Sequence, residues 1–134
     1  MILFALLWAM AAQAGGGCVT FDLKGKTSDT RWSEVILYIA KDFAKQSHAD
    51  LPILSRRKDG KSWSGNFTCS RLNSGSFSCY GEDDRGEFRL VPKAKGMKMV
   101  IEDAINVGYE EQEDARIAPK GEDEVEIVGE SCKK

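Results

Sequence analysis

Apolar and polar residues alternate with a period of two along most of this chain, the pattern of strands with one face in a core and the other in water. "CVTFDLK" sets Val19, Phe21 and Leu23 against Thr20, Asp22 and Lys24. "EVEIVGESC" does the same at the other end with Val125 and Ile127. Between them, "LPILSRR" reads as a strand that leaves through the Asp-Gly turn signal of "KDGK". The stretch "RWSEVILYIAKDFAKQ" is two-sided. Trp32, Val35, Ile36, Ile39 and Phe43 suit one helical face, but the run Val35 to Ile39 is rich in β-formers and all its surroundings are strand. Strand is the preferred reading, with one short helix near residues 32–46 as the alternative.

Turn chemistry fixes the register of the middle of the chain. In "CSRLNSGSFSC", Asn73-Ser74-Gly75 makes a loop that needs a left-handed residue at its last position, where glycine stands. Counting outward, Leu72 meets Ser76, Arg71 meets Phe77, Ser70 meets Ser78 and Cys69 meets Cys79 at a non-hydrogen-bonded pair, close enough for a cross-strand disulfide. Trp63, Phe67, Cys69, Phe77 and Cys79 then share the core face. In "EDDRGEF" a turn Asp83-Asp84-Arg85-Gly86, closed by Glu82 opposite Glu87, sets Phe88 opposite Gly81 and Leu90 opposite Cys79. "VPKAKGMKMVIED" repeats the device, with Lys93-Ala94-Lys95-Gly96 as the turn and Met97, Met99 and Ile101 directed inward. The predicted architecture is all-β, an antiparallel meander of seven or eight strands forming a sandwich or a partly open barrel. The acid-rich "GYEEQEDARIAPKGEDE" reads as a solvated loop.

The ends change the picture. "MILFALLWAMAAQA" has an apolar run too short to span a bilayer, then Ala12-Gln13-Ala14, so residues 1–14 read as an export signal and residues 15–134 as one disulfide-stapled β domain. Gly15, where a lipoprotein signal has Leu, argues against a lipid anchor at Cys18. Four cysteines without a C-x-x-C suit two disulfides in an oxidising compartment, the periplasm or the exterior. With Cys69 and Cys79 paired, Cys18 and Cys132 remain to join the chain ends.

Candidate chemistry is sparse. Nineteen basic against twenty-one acidic residues give a net charge of −2, which excludes a general nucleic-acid binder. No apolar segment is long enough for a transmembrane helix. The one histidine, His48, lies in the polar connector "KQSHAD" with no nucleophile elbow or metal-binding partner, so no catalytic residue, metal ligand or cofactor is assigned. Successive turns of a meander lie at alternate ends, which brings Arg56, Arg57 and Lys58 to the end that carries Asp83, Asp84 and Arg85, a charge-compensated rim suited to binding. A calcium site from Glu82, Asp83, Asp84 and Glu87 lacks the D-x-D-x-D-G spacing. Asn66 in "NFT" is a glycosylation sequon on the outer face.

The signal segment, "GNFTCS", "GSFSCYGEDDRGEF" and the following hairpin loosely resemble small, uncharacterised exported bacterial β-proteins with a cysteine hairpin followed by an acidic, glycine-containing turn. The resemblance covers residues 54–102 and implies fold and compartment without an activity. The expected function is therefore an exported, non-catalytic β domain that binds a protein or small ligand through its loops. The alternatives are an inhibitor of an exported hydrolase, a lysozyme or protease, probing with "EDDRGE" or "RRKDGK", and a calcium-binding envelope protein.

Overall fold

The computed structural model describes residues 16–82, 85–108 and 112–132. Its strands are β1 (Gly17–Asp22), β2 (Trp32–Ile39), β3 (His48–Arg57), β4 (Ser62–Arg71), β5 (Phe77–Tyr80), β6 (Glu87–Pro92), β7 (Met97–Asp103), β8 (Ile105–Asn106), β9 (Arg116–Ile117) and β10 (Val125–Ser131). Each of the first six pairs antiparallel with the next, and β10 closes the ring between β7 and β1. The result is a closed barrel, with β8 and β9 as a separate two-stranded ribbon. Closure removes the exposed edges that a partly open barrel would keep. The two-sided stretch 32–46 is strand β2, then a 3-10 turn at Phe43–Lys45.

An eight-stranded barrel is just wide enough for side chains to fill it. Here Phe21, Val35, Leu37, Leu51, Phe67, Phe88, Leu90 and Met99 all point inward and are buried. The disulfide Cys69–Cys79 joins them, its Cα atoms 4.0 Å apart at the predicted pair. Leu72 N donates to Ser76 O and Gly75 has φ of +90°, so the loop is the one that the glycine demands. The 93–96 turn also holds, closed by Pro92 opposite Met97.

The next connection departs from expectation. Tyr80, not Glu82, pairs with Glu87, so Phe88 lies opposite Cys79 and Leu90 opposite Phe77. The strand slides to the next position of the same parity, which keeps Phe88 and Leu90 inside. Glycine packing explains the longer connection. A Cβ on Gly81 would lie 2.6 Å from the Arg85 Cβ and 3.2 Å from the Phe67 ring, so Phe67 rather than Phe88 covers that glycine. Gly86, at φ of +101°, rests against the Ala104 carbonyl, with which any Cβ would collide. Gly86→Val combines this collision with left-handed strain, and urea titration should show a loss of about 2 kcal/mol or more. Asp83 and Asp84 lie outside the described residues.

The two ends of the barrel are closed differently. At the lower end the Phe43 ring sits 4.7 Å from Phe77, and Cys18–Cys132 joins the first and last strands. At the upper end the excursion between β7 and β10 folds over the barrel as a cap. Ile105, Val107, Ala115 and Ile117 are buried at this end. Of the acid-rich segment read as a solvated loop, Gly108, Ala115 and Ile117 are buried, which corrects that reading at these positions, while its other described residues are exposed or half-buried. The cap is tied to the β1–β2 loop by Ser28 N to Ala118 O (3.0 Å) and Lys120 N to Lys26 O (3.1 Å). Trp32 Nε1 donates to Arg116 O at 3.1 Å. Ile105 and Ile117 face each other across the two-stranded ribbon and Ala115 ends a 3-10 turn, so none of them belongs to a wall strand.

Candidate functional site

The upper end collects the charged residues singled out in the sequence, and it sorts them. The inward alternation of β3 runs Leu51, Ile53, Ser55, Arg57, so Arg57 points into the barrel and its side chain is 3% exposed. It lies over the Trp63 ring, 5.5 Å from the centroid, and Trp63 packs on Trp32 at 5.4 Å. Its Nη2 donates to Asp59 at 3.2 Å, while Nε and Nη1 have no hydrogen-bond partner among the described residues. Arg57 is thus a buried plug of the upper end, not a rim residue. Buried donors left unmade cost about 1–3 kcal/mol, which offsets what the ion pair and the ring contact contribute. Arg57→Met, close in shape and without donors, should leave thermal stability unchanged or raised, and a loss above about 2 kcal/mol would show that the guanidinium holds the cap.

Arg56 remains outside and pairs with Glu34 on β2 at 3.5 Å. Lys58 is exposed, its backbone N–H bonded to Arg31 O at 3.0 Å. Arg31 forks onto Asp29, Nε to Oδ1 and Nη2 to Oδ2, both at 3.0 Å. That hydrogen bond holds the Asp29 carboxyl below its ordinary range. The Lys61 backbone N–H does the same for Asp59, and Lys98 for Glu126. Carboxylates with lowered folded-state pKa values add stability above their unfolded pKa and lose it as pH falls through the folded value. Melting temperature should therefore fall as pH drops below about 4, and less steeply in Asp29→Asn.

Arg85 is where two outer clefts of this end meet. Its carbonyl accepts from Asn106 N at 2.8 Å, which seats the β5–β6 connection on the cap. Its side chain borders one cleft of about 380 Å³ with Trp63 and Gln112, and another of about 240 Å³ with Asn66, Thr68 and Glu82. Beyond Gly81 and Gly86 lies a third, of about 480 Å³, lined by Tyr80, Glu87, Asp103 and Arg116. Tyr80 is 44% exposed. Glu87 and Asp103 stand directly opposite each other across β6 and β7, a like-charge pair that costs stability unless a cation answers it.

This face therefore offers an aromatic ring, two arginines and paired carboxylates on a rigid base, groups that recognise protein side chains well. Tyr80 and Arg116 escaped the sequence reading, which has Trp63 only as a core-face residue. Tyr80 had a legible signal, since it follows inward Cys79 on an alternating strand. Among the described residues no three His, Cys, Asp or Glu side chains gather as metal ligands. His48 begins β3 instead of lying in a connector, and its Nδ1 is 3.0 Å from Ser70 Oγ, away from these clefts. Asn66 is exposed on the outer face of β4. No described helix is long and apolar enough to cross a membrane. No protein-family model, curated protein or solved structure matches this chain.

Proposed function

We propose that the protein is an exported, non-catalytic binding domain, periplasmic or secreted, that recognises a protein partner with the upper-end face around Tyr80 and Arg85. The observation that carries this reading is the filled barrel. Side chains from every wall strand occupy the interior and the cap covers them, so recognition falls to the outer surface. Two disulfides suit an oxidising compartment and fix the walls that carry the loops. Rigid loops lower the ordering cost of association. An exported hydrolase belongs to the partner classes that such a face suits, with the exposed 58–60 turn beside it as a probe.

The test is affinity capture from the native envelope or secreted fraction, comparing wild type with a Tyr80→Ala/Arg85→Ala variant of unchanged melting temperature. The proposal expects one polypeptide enriched by wild type and at least tenfold less by the variant. Equal recovery by both, or no enrichment, contradicts it.

A further inference from the structure

A second surface lies away from the loops, on the outer wall formed by the adjacent strands β2, β1 and β10. These strands carry no Lys, Arg or His at all. Their outward positions include the carboxylates Asp22, Glu34, Glu126 and Glu130. Among the described residues, cations reach in from the flanking strands to two of them, Arg56 to Glu34 at 3.5 Å and Lys98 to Glu126 at 2.9 Å. Asp22 and Glu130 are both exposed and have no ion-pair partner among the described residues, Asp22 only accepting the Lys24 backbone N–H at 3.0 Å. They line a shallow cleft of about 510 Å³ together with Thr20 and Val128, and Val128 is 66% exposed.

The same wall is apolar beyond what a solvated face needs. Register puts Thr20 beside Ile36, Ile36 beside Leu54 on β3, and Cys18 beside Tyr38. Tyr38 is 43% exposed, and Ile36 and Leu54 are half-buried. The run "VILYI" is apolar on both faces of β2, whereas a strand with one side in water alternates. Its inward residues Val35 and Leu37 fill the core, so its outward ones need another reason.

We infer that this wall docks a basic, aliphatic segment of a partner polypeptide, Val128, Ile36 and Tyr38 taking its apolar side chains and Asp22 and Glu130 its cations. Charge decides the occupant. A second copy using the same face would set carboxylates against carboxylates, which two-fold contact cannot relieve.

Amide chemical shifts followed by NMR during titration with an alternating Lys-Leu hexapeptide test this, with a Glu-Leu hexapeptide as control. Lys-Leu peptide should shift Thr20, Asp22, Val128 and Glu130, and Asp22→Asn/Glu130→Gln should weaken it about five- to tenfold, as loss of two exposed ion pairs allows. These substitutions are at exposed positions, and an unchanged melting temperature shows that the fold is kept. The inference is overturned if Lys-Leu peptide leaves those amides unmoved, if Glu-Leu peptide binds as well, or if the protein dimerises through this face and Val128→Ser abolishes the dimer.

Discussion

Replacing Cys18 and Cys132 together by alanine should lower stability by about 4–5 kcal/mol in the chain-entropy picture, more than any surface change in the barrel. The two residues are separated by 114 positions, so the bond restricts nearly the whole described chain in its unfolded state. In the fold it lies beside the seam where β1 meets β10, next to the hydrogen bond from Cys132 N to Cys18 O at 3.0 Å. Barrel closure depends on that seam because β1 and β10 come from opposite ends of the chain. Cys69–Cys79 closes a separation of 10, and the same entropy argument gives it about 3 kcal/mol. Urea titrations of the two double-alanine variants measure both. A terminal pair worth less than about 1 kcal/mol would mean that the seam is held by its strand pairing alone.

Phe88→Ala should cost about 3–5 kcal/mol, the range for truncating a buried large aromatic. Phe88 is fully buried, its ring 5.4 Å from Phe67, with Cys79 on one neighbouring strand and Ile101 on the other. The disulfide is fixed covalently and Ile101 has few rotamers, so on these two sides the cavity relaxes poorly. Equilibrium urea unfolding gives the number. A loss under about 1 kcal/mol would place Phe88 outside the core.

The hairpin at Cys69–Cys79 was legible residue by residue because a short loop with one glycine leaves little choice of register. The parity of β6 was legible for the same reason, since Phe88 and Leu90 admit only one inward set. Its partners were not, because the length of the Gly81 to Gly86 connection depends on Phe67 and Ala104, which approach those glycines from distant parts of the chain. The order of turns in a meander puts Arg57 at the correct end but on its rim, although the alternation from Leu51 already points it inside. The cap was illegible for a different reason. Ala115 and Ile117 lie in an acid-rich run, and their burial, like that of Ile105 and Val107, comes from a barrel end that is brought to them by distant strands. The apolar outer positions of β2 were visible as an unbroken run, but a strand-versus-helix question absorbed that signal.

Recognition on the outside of a filled barrel is the central claim, and native mass spectrometry of the protein isolated from its own source under non-denaturing conditions tests it most directly. The account predicts a complex with a polypeptide that dissociates from the Tyr80→Ala/Arg85→Ala variant, and no organic ligand retained by the barrel. A stoichiometric small organic molecule held by wild type, and held equally by that variant, would contradict it.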